Sequence, residues 1–346
     1  MSYGARPTRH SIARTLTART LTACAAIVSL TSLSACRGPF RAPTGYEQTY
    51  LAALHNGAFR THHARADALF NAFDYGHAIG YETLLTKPSP AAVIEGPVFA
   101  RLDTRVLRRP PSVPLEEAAV GPRYATLVPE VVAMFEWSHL LHKQLYDVLA
   151  IPDWHESLRD KEVARVLAYY RSRPDLAFSS HPKSMALMDG QPYSQVFRQR
   201  APKFNGLLWT YHWMQMSLYD ALMADPQLDA QRTAVGRVVD RFFALIANAP
   251  SEMPTMMPMS AAVAPRFSAR YPEAAIIFDN MHAMHDVLSD ILLSEAVPAA
   301  QKRQAILRAA ATYRDSTTEI TTRAEWLEMA QMMTESRLRP PPGTHP

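Results

Sequence analysis

The sequence predicts an all-α fold: a helical bundle with four central helices, additional packing helices and proline-rich connections. Three observations carry this. Alanine, leucine and methionine recur at three-to-four spacing, the period of a helix that buries one face. Only 12 glycines and few alternating runs of valine, isoleucine and threonine argue against sheets. The 27 prolines fall mostly between the apolar-periodic stretches, where they punctuate helices instead of breaking them.

In chain order, long helices are expected over 46–85, 129–150, 203–224 and 272–293. Shorter or more polar helices are expected over 156–173, 226–249 and 298–337, the last charged on one face and therefore on the outside. The proline-rich segment 87–128 reads as a long irregular connection with one short helix near 98–108. The loop 250–272 places Met253, Met256, Met257 and Met259 among prolines. Their thioethers suit an adaptable apolar lid, and Cu(I) is the alternative occupant for such soft donors. There is no low-complexity tract and no strict short repeat. With 48% hydrophobic residues, 46–339 can build one large domain, followed by a loose tail at 340–346.

The N-terminus reads differently. Residues 1–35 carry four arginines (Arg6, Arg9, Arg14, Arg19) and no acid, and 21–33 is apolar or small, the layout of a secretory signal too short to remain as a membrane span. It ends in Leu33-Ser34-Ala35-Cys36, which resembles the lipobox of bacterial lipoproteins. The resemblance implies cleavage before Cys36, lipid on its thiol and a tether over 36–45. In that family Asp after the cysteine often retains the protein at the inner membrane, and Arg37 here implies the outer membrane, facing the periplasm.

Loss of the signal removes the formal charge of +4 and leaves 32 basic against 32 acidic residues, so no nucleic-acid partner is implied. Of the two cysteines, Cys24 leaves with the signal and Cys36 carries the lipid. Disulfides, thiolate ligands, iron–sulfur clusters, cysteine nucleophiles and covalently attached haem are thereby excluded from the body. Gly-x-Ser-x-Gly, Walker, dinucleotide and His-Glu-x-x-His motifs are missing too.

One constellation remains. The four long helices carry Phe73-Asp74-x-x-His77, Phe135-Glu136-x-x-His139, Leu208-Trp209-x-x-His212 and Phe278-Asp279-x-x-His282. Residues three apart share a helix side, so each acid and histidine can face the bundle interior together. The second and fourth helices extend to acid-x-x-His-x-x-His, adding His142 and His285. Carboxylate-x-x-His on two helices, completed from two more, resembles the dimetal sites of ferritin-like bundles. The histidine-rich set is also similar to the haemerythrin type. The resemblance implies a metal centre drawn from Asp74, His77, Glu136, His139, His142, His212, Asp279, His282 and His285. Trp209 departs from the pattern where a carboxylate is expected, and Gln215 or Tyr211 can substitute beside His212.

Imidazole with carboxylate suits iron, including di-iron, as well as manganese, zinc and copper. The expectation is a membrane-anchored extracytoplasmic metalloprotein, oxygen- or redox-linked; if an enzyme, it is a metal-dependent oxidoreductase of unassigned substrate. The competing readings are a scaffold lipoprotein binding an envelope protein, with acid–histidine pairs stapling its helices, and a protein with non-covalent haem. Asp147, Asp220 and Asp290, eight residues after a key histidine, are expected in surface or inter-helix salt bridges, and His62 and His63 in solvent. Trp137, Trp209, Trp213, Tyr146, Tyr211 and Tyr219 are expected to be core.

Overall fold

The computed structural model describes residues 48–336, and it is all-α. The signal segment, Cys36, the whole tether over 36–45 and the tail over 340–346 lie outside those residues. Among the described residues no helix is long and apolar enough to cross a membrane.

Among the described residues from 49 onward, helix α1 (Ala58–His62) precedes α2 (Ala64–Thr86), so the single helix expected over 46–85 is interrupted by turns and coil over 49–57 and again at His63. Next, 90–107 (α3) alternates α-helical turns (Pro90–Val93, Phe99–Arg101) with π-helical ones (Ile94–Val98, Leu102–Leu107). Pro97 sits inside the first π turn; a proline has no N–H to give and crowds the preceding turn, so the helix widens there. Then follow α4 (Glu117–Val120), α5 (Pro122–Leu127), α6 (Pro129–Leu149), α7 (Glu156–Arg171) and α8 (Ala186–Asp189). The segment expected to be irregular is thus largely helical, in short pieces.

The chain then repeats itself. α9 (Val196–Arg200) and α10 (Pro202–Met223) follow α1 and α2 at an offset of 138 residues, Ala58 to Val196 and Ala64 to Pro202. α11 (Leu228–Ala247) stands in the place of α3, unbroken because it contains no proline. α12 (Ser260–Val263), α13 (Pro265–Arg270), α14 (Pro272–Leu293) and α15 (Ala299–Arg314) repeat α4 to α7 at an offset of 143, Glu117 to Ser260 and Glu156 to Ala299. The sequence repeats with them. Ala118-Ala119-Val120, Pro122-Arg123, Pro129-Glu130, Phe135, His139, His142, Leu145 and Asp147 return as Ala261-Ala262-Val263, Pro265-Arg266, Pro272-Glu273, Phe278, His282, His285, Leu288 and Asp290. Among the described helices only α8 and α16 (Arg323–Ser336) stand outside the duplication; the helix expected over 298–337 is therefore two, α15 and α16.

Proline marks the first residue of α5, α6, α10, α13 and α14, where its missing N–H costs no helical bond. The four long helices α2, α6, α10 and α14 form the centre, with α2–α10, α2–α14, α6–α10 and α6–α14 in contact. Every one of these pairs joins one half of the duplication to the other. The bundle interior is therefore the interface between the halves, and α7, α11 and α15 pack outside it on α6, α10 and α14. Met253, Met257 and Met259 are buried, and Gly206 on α10 lets Met253 approach: a Cβ there would meet the Met253 side chain at 2.9 Å. This is the packing role expected of the methionine loop.

Candidate metal centre

The interior face of the bundle is lined with imidazoles. His77 comes from α2, His139 and His142 from α6, His212 from α10, and His282 and His285 from α14; none is more than 1% exposed. All six histidines expected at the centre are brought together. His77 and His285 lie face to face, ring centroids 3.9 Å apart and 2° from parallel. His212 lies 4.1 Å from His282 and 5.4 Å from His77, while His139 is 5.8 Å from His285 and His142 is 5.9 Å from His282. One nitrogen each of His77, His212 and His285 falls within 4.8 Å of the others, so this buried triad could hold a metal ion.

The nitrogens divide into two kinds. Nδ1 of His285 is 2.6 Å from the Tyr81 hydroxyl, and Nδ1 of His142 is 2.8 Å from the Tyr219 hydroxyl. Nδ1 of His139 lies 3.3 Å from Asp74 Oδ1, at ion-pair distance. The Nε2 atoms of these three rings, and both nitrogens of His77, His212 and His282, have no hydrogen-bond partner among the described residues. A buried polar atom left unpaired costs on the order of 1–3 kcal/mol, so nine of them in one spot call for a ligand. With Nδ1–H donating to the phenol oxygen, Nε2 of His285 and His142 keeps its lone pair for a cation; the other tautomer would leave an N–H donor with nothing to receive it.

Burial sets the protonation state. Desolvation, reinforced by neighbouring imidazoles, pushes His77, His142, His212 and His285 well below the ordinary histidine range. His139 and His282 are pushed down to about 3, again mainly by desolvation. The rings are neutral, the form in which imidazole binds metal. Asp74 is pushed up to about 8 by desolvation, with the ammonium of Lys143 opposing. Lys143 is itself buried and bonded to Asp67 and Asn71, both at 2.6 Å.

The acids have other partners than sequence spacing suggested. Glu136 accepts the Glu117 N–H at 3.2 Å. Asp279 Oδ1 accepts from the Ser260 N–H and hydroxyl at 2.9 and 2.7 Å, and Oδ2 from the Trp326 indole at 2.7 Å. Each holds the start of a short helix, α4 or α12, so of the three acids only Asp74 reaches a histidine of the centre. Asp147 and Asp290, expected in salt bridges, are buried and receive the first N–H groups of α1 and α9: Gly57 and Phe59 at 2.8 and 2.9 Å, Gln195 and Phe197 both at 2.7 Å. Asp220 does the same for Arg266 and Phe267 of α13. These carboxylates supply acceptors for the N–H groups that a helix start leaves unbonded. His63, expected in solvent, is buried, and His62 is partly covered. Trp137, Trp209, Tyr146, Tyr211 and Tyr219 are core as expected, and Trp213 is partly buried against it.

The contacts obey the duplication reciprocally. Tyr81 and His285 pair across the halves, as do Tyr219 and His142. Phe135 stacks on His285 at 3.8 Å and Phe278 on His142 at 3.6 Å. Glu82 accepts from Arg123 and Tyr124 as Asp220 does from Arg266 and Phe267. The Tyr–His and Phe–His pairs cross between the halves, and such isologous pairing is the signature of a two-fold relation, with the centre at the axis. Tyr81 was not anticipated from the sequence; its signal is its position 138 residues before Tyr219. Models of known protein families, curated proteins and solved structures give no match to this chain.

Proposed function

We propose that the chain is an exported, lipid-anchored metalloprotein whose bundle interior holds a first-row transition-metal ion on His77, His212 and His285. The observation that carries this is a buried triad of neutral imidazoles with one nitrogen each within 4.8 Å of the others, in which both nitrogens of His77 and His212 and Nε2 of His285 have no hydrogen-bond partner among the described residues. The anchor would be Cys36, placing the bundle outside the cytoplasm at the outer membrane.

Three nitrogens with no carboxylate in the triad suit copper, zinc or iron better than the oxygen-preferring manganese. Iron fits through imidazole donors, without the paired bridging carboxylates of ferritin-like sites, since Glu136 and Asp279 are occupied. Bare metal is supported over haem because the rings and their phenylalanine neighbours pack at contact distance, with centroids 3.6–3.9 Å apart, where a macrocycle would need a slot. A three-ligand ion leaves a coordination position for a small molecule. The surrounding Phe73, Phe135 and Phe278 favour a small uncharged one, in keeping with oxygen- or redox-linked work.

Metal analysis of the purified mature protein tests the reading. At least one equivalent of metal that survives dialysis is expected, with one equivalent lost in His77→Ala and in His285→Ala. A folded, metal-free protein whose thermal midpoint ignores both chelator and added metal would leave the scaffold reading instead, with Tyr–His and Asp–His pairs stapling the helices.

A further inference from the structure

The two-fold relation gives each residue of the triad a counterpart. At the 143-residue offset His285 corresponds to His142, and at the 138-residue offset His77 corresponds to Gln215 and His212 to Asp74. We propose that His142, Asp74 and Gln215 form a second cation position, so that the centre holds two ions in unlike sites, one all-nitrogen and one mixed nitrogen and oxygen. The proposal rests on the first site being a metal site.

Three independent observations carry it. First, the surroundings of the two positions match pair by pair. Tyr81 on His285 Nδ1 is answered by Tyr219 on His142 Nδ1, at 2.6 and 2.8 Å. Phe135 over His285 is answered by Phe278 over His142, at 3.8 Å with 12° and 3.6 Å with 14°. His139 beside His285 is answered by His282 beside His142, at 5.8 and 5.9 Å. The contact of His212 with His282 is answered by that of Asp74 with His139. Second, the Gln215 side chain is fully buried, and neither its oxygen nor its nitrogen has a partner among the described residues. A buried amide with both ends unsatisfied is expensive, and an ion accepting its carbonyl oxygen would relieve half of that cost. Third, the Nε2 of His142 is likewise unpartnered, with its Nδ1 already fixed by a phenol.

The donor sets differ in kind. The triad offers three neutral imidazoles, and the second position offers one imidazole, one carboxylate and one amide oxygen. Oxygen donors with a formal negative charge suit harder divalent ions, so the second position should accept manganese or iron(II) more readily than the first does. Asp74 can bind an ion through one oxygen while the other faces His139 Nδ1, and its charge would offset part of that of a pair of dications.

Calorimetric titration of the chelator-stripped mature protein with Zn(II), and separately with Mn(II), tests this. Zn(II) is expected to bind as two equivalents per chain and Mn(II) to favour one. Gln215→Leu and Asp74→Asn should each reduce Zn(II) to one equivalent, while His285→Ala removes the other. Should Gln215→Leu fail to fold, the near-isosteric Asp74→Asn gives the same reading. One equivalent in the unaltered chain, unchanged in either variant and lost in His285→Ala, overturns the second position and leaves the first standing. No binding at all overturns the metal reading itself.

Discussion

The two halves of this chain build the same seven helical elements, yet meet at the centre with different side chains. α6 and α14 contribute the same residues at the same positions, His139 and His142 against His282 and His285. α2 and α10 do not: Asp74 and His77 on one face His212 and Gln215 on the other. Behind the rings the divergence continues, since Lys143, bonded to Asp67 and Asn71, corresponds to Asp286, whose cationic neighbour Arg198 is 4.0 Å away. The helix starts and their capping acids are kept because both halves need them to fold. What has changed is the set of donors that would face an ion, so the scaffold is symmetric and the chemistry need not be.

The largest expected effect comes from removing a ring. His285→Ala should lose tightly held metal by more than about 100-fold, beyond the 10- to 100-fold usual for changes behind a ligand. His142→Ala, its counterpart, should leave the triad's affinity within a few-fold. Competition with a colorimetric chelator measures both, and equal losses would break the claim that the halves differ in function.

Next are the phenols. Tyr81→Phe removes the oxygen facing His285 Nδ1, and a weakening of about 10- to 100-fold at the triad is expected, with little change in folding. Tyr219→Phe should spare the triad. If both variants bind metal like the unaltered protein, the tyrosines serve packing alone.

The capping acids test the opposite side of the comparison, where the halves should agree. Asp147→Asn and Asp290→Asn each weaken two backbone hydrogen bonds to a buried carboxylate, and a loss of about 1–3 kcal/mol from each is expected in urea unfolding. Metal content of the folded fraction should be unchanged. A difference between them larger than about 1 kcal/mol would mean that the halves do not share one scaffold.

Much of this was legible in the sequence, and the failures have physical causes. The all-α class and the central helices followed from periodicity and from prolines that mark helix starts, and the six histidines followed from three-residue spacing. Spacing places Glu136 and Asp279 on the side of their helices near His139 and His282, but it cannot say which neighbour takes the carboxylate. A short helix start, with its unbonded N–H groups, competes for it and wins. The regular Asp147, Asp220 and Asp290 follow the same rule, which no charge count reveals. The pairing of Tyr81 with His285 needed the fold, although the 138-residue echo of Tyr81 in Tyr219 was available to a comparison of one half with the other. The duplication escaped because its two offsets differ by an insertion, so no single period fits.

The smallest expected effect is a difference in acid sensitivity outside the centre. His63 precedes α2, and the corresponding residue before α10 is Ala201. Burial pushes His63 down to about 4, with His62 and Arg232 adding repulsion. In the unfolded chain the ring titrates near 6.5, so as pH falls below that value the unfolded state takes up a proton that the folded state refuses until about pH 4. Stability contributed by the neutral ring is therefore present above pH 6.5 and drains away toward pH 4. The loss is about 1–3 kcal/mol, because each pH unit separating the two titrations is worth roughly 1.4 kcal/mol before screening by nearby water. His63→Ala gives the first half the residue of the second and should flatten that part of the stability profile while costing some packing against Phe59 at every pH. Urea midpoints of the two proteins at about pH 7 and about pH 5, on either side of the free-imidazole titration, decide it. The gap between them should narrow in acid, and a gap that stays constant would mean that His63 is protonated alike in both states.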